Sequence, residues 1–139
     1  MAAPGGTSLS NLLASMEPIL QPGNFVFATV PPSDKTFLSR IQAHSFDMLF
    51  RESEGWTLIA DRSVVEALGL EAIFPCGKVT LGVHSSLDAV GFMAAVTTRL
   101  AKIDIGVNPV SGFYHDHLYV SQKDWDVSKR LTDNAQVCT

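Results

Sequence analysis

The chain has 139 residues, a net charge of -4 and a pI near 5.4, so it offers no basic stripe for a nucleic acid. Hydrophobic residues make up 46% of the sequence and charged residues 17%, a balance typical of a globular protein. Cys76 and Cys138 have neither disulfide-framework nor metal-ligand spacing, and no apolar run approaches the roughly 20 residues of a membrane span. We therefore expect a cytoplasmic protein that has neither nucleic acid nor membrane as a partner.

The first half of the sequence predicts short helices and strands. After a Pro/Gly-rich, flexible leader over residues 1–10, Ser8 can cap a helix whose leucines recur at helical spacing. Aromatic and β-branched residues predict strands over 24–30, 45–51 and 56–60, the last two joined as a hairpin. Asp61 or Ser63 can cap a further helix over 64–68 that Gly69 ends. Residues 74–77 are predicted to connect the two halves of the chain.

The second half predicts the order strand, helix, strand, strand, helix. Alternating polar and apolar residues predict a strand over 78–83, and helical spacing predicts a helix over 87–103 with Ser85 or Ser86 as its N-cap. Strands over 105–110 and 115–120 and a helix over 122–134 are expected to follow. This order is a split βαβ unit without its final strand, so we expect a strand from the first half to complete its sheet.

Longer segments in both halves carry a family resemblance. They are VTLGVHSSLDAVG at 79–91, VSGFYHDHLYV at 110–120, FVF at 25–27 and FRESEGWTL at 50–58. Together they resemble the ACT-domain family of small proteins with paired ACT-like units, which is similar to the ACT pairs of the CASTOR-type cytosolic arginine sensors. Residues 34–45 depart from the family pattern, and we transfer no site to them.

The resemblance implies an α+β fold of two ferredoxin-like ACT units, packed together with a strand exchanged between the halves. The N-terminal unit would span residues 11–75 and the C-terminal unit 76–135. It also implies a non-enzymatic regulatory or sensor protein without a cofactor, whose ligand is a small molecule, an amino acid, held at the junction of ACT-like units. Exposed sheet edges favour a homodimer, and a sensor requires a regulated protein that the sequence does not identify.

The turn after the strand at 78–83 is the strongest candidate site. Ser85 and Ser86 lie where the first N–H groups and the positive end of the predicted helix would meet a carboxylate, and Asp88 can receive an ammonium group. His84 and Gly91 stand at the two ends of this turn. A free amino acid carries both charges, so the turn can bind the part that all amino acids share. The alternative is structural, with a serine that caps the helix and Asp88 complementing its dipole.

Two histidines on the strand at 115–120 form a second candidate group. His115 and His117 share one face with Tyr119, because residues two apart on a strand point the same way. In a split βαβ sheet the third strand runs antiparallel beside the first, so His84 is expected to approach His115. Asn108 is expected to share their open face. We expect these side chains to line a ligand site or a subunit junction.

Other functions remain open at this point. His84, His115 and His117 can in principle bind zinc, which would make the chain a small metal-binding protein or an enzyme. Against this, Asp116 is predicted to point to the opposite face, where it cannot orient the histidines. A purely structural partner protein without a ligand is the third possibility.

Overall fold

Two units of helices and strands make up the computed structural model, which describes residues 3–126. One unit runs from Gly23 to Cys76, and the other combines the residues up to Pro22 with those from Gly77 onward. No helix in the described range is both long and apolar enough to cross a membrane. The elements are α1 (Leu9–Ser15), β1 (Pro18–Val30), α2 (Phe37–Arg40), β2 (Met48–Glu52), β3 (Gly55–Asp61), α3 (Arg62–Ala67), β4 (Ile73–Leu81), α4 (Phe92–Lys102), β5 (Val107–Ser111) and β6 (Asp116–Ser121).

The strands form an antiparallel six-stranded sheet in the order β2-β3-β1-β4-β6-β5. Hairpins β2–β3 and β5–β6 are neighbours in both sequence and space. The order places β6 beside β4, as the split βαβ pattern predicts. The predicted α+β, ferredoxin-like fold with two ACT-like units is therefore confirmed.

The unit from Gly23 to Cys76 has its own core. The register pairs Val30 with Trp56, and alternate residues of β1 are buried. Asp61 caps α3, where hydrogen bonds from the backbone N–H and the hydroxyl of Ser63, at 2.9 and 2.8 Å, hold the pKa of Asp61 below its usual range. The buried core residues are Val26, Ala28, Val30, Phe37, Leu58, Ala60, Val65 and Leu68.

The other unit is completed by residues from the start of the chain. The N–H of Gly82 donates to the carbonyl of Glu17 at 2.7 Å, and the side chain of Gln21 donates to the hydroxyl of Thr80 at 3.0 Å. Strand β1 thus begins in this unit and continues in the other, which confirms the expected strand exchange. Helix α1 also packs in this unit. The core is Leu12, Met16, Val79, Leu81, Phe92, Val96, Leu100, Ile105, Leu118 and Val120.

Some predicted element boundaries are wrong. Residues 74–77 lie within β4 and do not form a loop, because tertiary contacts outweigh the turn propensity of Pro75 and its neighbours. Phe74 packs edge-on against Phe27 at 5.5 Å, and the Cys76 thiol donates to the carbonyl of Phe25 at 3.5 Å. Of the predicted helix over 122–134, the structure describes a 3-10 turn at Gln122–Asp124, and residues 127–134 lie outside the described range.

Candidate functional site

The segment between β4 and α4 is an irregular loop rather than the first turns of a helix. Helix α4 begins at residue 92 rather than 87, and Gly91 before it has a left-handed backbone with φ of 89°, which a helix interior does not allow. Ser86 closes a local turn instead: its hydroxyl accepts a hydrogen bond from the N–H of Asp88 at 3.1 Å, and its carbonyl accepts one from Ala89 at 3.0 Å. The prediction that a serine caps this helix is therefore wrong.

The N-terminal segment is hydrogen-bonded to this loop. The N–H of Gly6 donates to the carbonyl of His84 at 2.8 Å, and the N–H of Ser86 donates to the carbonyl of Gly6 at 2.7 Å, forming a parallel bridge with Ser85. Gly5 lies so close that a Cβ atom there would be 2.5 Å from the carbonyl carbon of Ser85. Part of the stretch predicted as a flexible leader is therefore docked on the β4–α4 loop.

Asp116, the first residue of β6, is buried beneath the loop with 8% of its surface exposed. The hydroxyl of Ser85 donates to its Oδ2 at 3.0 Å, and the hydroxyl of Ser111 donates to its Oδ1 at 2.6 Å. Within residues 3–126, no basic side chain forms an ion pair with this carboxylate. A buried carboxylate whose donors are both neutral retains a strong preference for a positively charged partner.

A cavity of about 100 Å³ lies between the β4–α4 loop and hairpin β5–β6, and the side chains of Ser85, Ser111 and Asp116 line it. Phe92 and Met93, the first two residues of α4, also line it. The first N–H groups of a helix have no partner within the helix and lie at its positive end. The cavity therefore combines one carboxylate, the side chains of three serines, apolar side chains and the start of a helix.

The structure brings together only part of the predicted turn site. Ser85 and Ser86 both line the cavity. Asp88 is exposed and lines a neighbouring cavity of about 170 Å³ together with Gly5 and Phe113. Of the predicted turn residues, the two serines are therefore the ones that the structure places beside the buried carboxylate.

The residues predicted on the open face lie on the other side of the sheet. Side chains alternate along β6, so His117 points to the face opposite to that of Asp116, and the ring of His115, just before the strand, lies 6.4 Å from the ring of His117. The Nδ1 atom of His117 lies 2.9 Å from the hydroxyl of Thr80. The strand register places Asn108 on the same face. None of these three residues lines the cavity.

His84 packs against aromatic rings rather than joining a histidine cluster. Its ring lies 5.3 Å from Tyr114 and 6.2 Å from Phe113, and its Nε2 atom is buried with no hydrogen-bond partner among the described residues. In residues 3–126, no three His, Cys, Asp or Glu side chains come together as metal ligands. The geometry therefore gives no support to a three-histidine metal site.

Sequence reasoning missed Asp116 and Ser111 as site residues. It placed Asp116 correctly on the face opposite the histidines, but treated that position as a reason to leave it out. The useful signal was the alternation itself, because Asp116 shares its face with the core residues Leu118 and Val120. A charged residue in register with a buried apolar stripe requires a polar partner or a ligand.

We predict that Gly5→Ala disturbs this site and that Gly6→Ala does not. A Cβ at Gly5 would lie 2.5 to 2.7 Å from backbone and ring atoms of Ser85 and His84, whereas a Cβ at Gly6 would have its nearest neighbour 3.6 Å away. Thermal unfolding should show a lower melting temperature for the first variant and little change for the second. Equal melting temperatures would contradict the close docking of the N-terminal segment on the loop.

Comparisons with known proteins agree with this architecture. ACT-domain family models match residues 4–77 and 71–130. A protein of unknown function from Vibrio cholerae, described as a possible transport protein, is similar in structure at 35% identity, over 94% of this chain and 97% of that chain, with a TM-score of 0.76. No curated protein matches the chain.

More distant structures share the fold alone. A protein from Agrobacterium tumefaciens is 19% identical, with 87% of this chain and 89% of that chain covered and a TM-score of 0.69. The ligand-free regulatory subunit of aspartate kinase from Thermus thermophilus is 10% identical, with 87% and 96% covered and a TM-score of 0.62. ACT domains are regulatory domains that bind small molecules, often amino acids. With two such matches in tandem, the chain belongs to the ACT-domain family.

Proposed function

We propose that this protein is a non-enzymatic sensor that binds a small amino acid in the cavity between the β4–α4 loop and hairpin β5–β6. The observation that carries the proposal is the buried carboxylate of Asp116, which has two hydroxyl donors and no cation beside it within the described range. An ammonium group would supply the missing positive charge.

The cavity has suitable partners for both charged groups of an amino acid. An ammonium group has three N–H donors, and the carboxylate of Asp116 and the hydroxyls of Ser85 and Ser111 have lone pairs to accept them. The N–H groups at the start of α4, at Phe92 and Met93, can receive the ligand's carboxylate. In this proposal the ammonium group binds to Asp116, and not to Asp88 as the sequence predicts.

The size of the cavity restricts the ligand. A volume of about 100 Å³ is well below the roughly 300 Å³ at which sites for drug-sized molecules begin. It accommodates the ammonium and carboxylate end of an amino acid with a small side chain. A larger side chain would have to project out of the cavity, between units or chains as the family resemblance implies.

A regulatory role is favoured over catalysis by the way the serines are bonded. The hydroxyls of Ser85 and Ser111 both donate to the carboxylate of Asp116 and so hold it in place. The imidazole of His84, next to Ser85 in sequence, packs against aromatic rings instead. Binding would act by stabilising one arrangement of units over another.

We predict that a thermal-shift screen of the common amino acids finds at least one that stabilises the chain at millimolar concentration. Asp116→Asn should weaken that binding about tenfold or more, because it removes the negative charge that the ammonium group needs. Isothermal titration calorimetry on folded variants gives the affinities.

Asp88→Asn is the matched control for this experiment. It removes the same charge from an exposed residue of the same loop and should leave the affinity nearly unchanged. If D88N abolished binding and D116N did not, the ammonium site would lie at Asp88 and the proposed cavity would be wrong. No stabilisation by any amino acid would favour a structural partner protein instead.

Homodimerisation, a regulated partner protein and a cytoplasmic location complete the proposal. Strand β2 lies at one edge of the sheet, and its Phe50 is 59% exposed. An open strand edge is a pairing site for a second chain.

We predict a mass near twice the 15.0 kDa of one chain in light scattering after gel filtration. A mass of one chain across the concentrations tested would contradict the dimer.

A further inference from the structure

A second cavity, of about 290 Å³, lies in the unit from Gly23 to Cys76. The segment that leads from β1 into α2 forms one wall, and the two ends of hairpin β2–β3 form the other. It therefore occupies the same place in its unit as the Asp116 cavity does in the other: between a strand-to-helix connection and the hairpin that follows. The two cavities differ in what their side chains offer.

The position equivalent to Asp116 is a glycine that cannot be replaced. Ser111 and Asp116 form the last register pair of one hairpin, and Glu52 and Gly55 form the last pair of the other. Gly55 has φ of 140°, and a Cβ there would collide with the carbonyl oxygen of Val30. No carboxylate can therefore occupy the place that Asp116 takes in the first cavity.

The two acidic side chains at the second cavity are already engaged. Asp34 forms an ion pair with Arg40 at 2.5 Å and also accepts hydrogen bonds from the backbone and hydroxyl of Thr36 at 3.1 Å. Glu52 accepts a hydrogen bond from the hydroxyl of Thr57. Arg40 thus compensates the charge of Asp34, whereas the hydroxyl of Thr57 holds the Glu52 carboxylate in place and leaves its charge.

The two basic side chains at the cavity have no such partners. Neither Lys35 nor Arg51 forms an ion pair or a side-chain hydrogen bond with any residue in the range 3–126. The guanidinium carbon of Arg51 lies 6.0 Å from the centroid of the Trp56 ring, a cation–π distance. Arg51 beside the Trp56 ring, and Lys35 in the wall of the same cavity, are both without an anionic partner in the described range and favour an anionic ligand.

The remaining walls are apolar. Trp56 is only partly buried, and Leu38 across the cavity is 52% exposed. Pro32 contributes a further apolar surface. A flat or apolar group can therefore pack against Trp56 while its charged end reaches the basic side chains.

We propose that this second cavity binds a small organic anion with a planar apolar part. Arg51 and Lys35 hold its carboxylate or phosphate group, and Trp56 packs against its ring. This site lies in the other unit from the amino-acid cavity, and its two basic side chains without ion-pair partners give it a preference for the opposite charge. A chain with both sites would bind two chemically different metabolites, one in each ACT unit.

Trp56 provides a direct probe of this site. Benzoate and phenyl phosphate should quench or shift tryptophan fluorescence, whereas benzylamine, with the same ring and the opposite charge, should not at the same concentration. Calorimetry with the same three compounds measures the affinities and shows which anionic group is preferred. Saturable binding of either anion supports the site, and equal binding of benzylamine would overturn it.

Charge-removing variants locate the binding. Arg51→Gln and Lys35→Gln should each weaken the anion affinity several-fold, and the double variant by about tenfold or more. Arg99→Gln and Lys102→Gln, on α4 in the other unit, make the same charge changes away from the cavity and should have little effect. If both pairs of variants weakened the anion affinity equally, the anion would be bound by the overall charge of the protein and not at this cavity. The proposal would then fail.

D116N separates this proposal from the amino-acid site. It should leave benzoate binding unchanged, and R51Q should leave amino-acid binding unchanged. Loss of benzoate binding in D116N would show that the anion occupies the first cavity and would overturn the second site. Melting temperatures of the variants without ligand confirm that each one is folded.

Discussion

The buried carboxylate of Asp116 is the constraint on which the candidate site depends. A carboxylate that leaves water needs hydrogen-bond donors, and here it draws one hydroxyl from the β4–α4 loop and one from the end of β5. Ser85 and Ser111 are thereby tied to one point, which fixes the loop against the hairpin. The same bonds leave this carboxylate without an ion-pair partner in the described part of the chain, which is the basis for the proposed binding of an ammonium group.

The exchange of strands explains why the start of the chain bears on a site near its middle. Glu17 and Gln21 belong to the unit that contains β6, so the segment before them lies beside the β4–α4 loop of that unit. There the N–H of Gly6 bonds to His84 and the carbonyl of Gly6 bonds to Ser86. Glycine at position 5 allows the close approach of the two backbones. The loop is therefore held by a hairpin on one side and by the N-terminal segment on the other.

Much of this fold could be predicted from the sequence, but the site only in part. Alternation and turn residues identified the first hairpin and the two strands of the second, and the order of elements indicated the exchanged strand. The helix start was misplaced because Ser85, Ser86 and Asp88 are typical of a helix N-terminus, and only the left-handed backbone of Gly91 shows that the helix begins later. Asp116 was passed over because its hydroxyl partners come from two distant segments, and single-strand periodicity cannot reveal such contacts.

The central claim is that an amino acid binds over Asp116, and amide chemical shifts of the whole chain test it most directly. On titration with the amino acid that stabilises the protein most, the largest changes should fall on residues 85–93 and 111–116. Changes concentrated instead on the opposite face, at Asn108, His115 and His117, or around Trp56, would contradict the account.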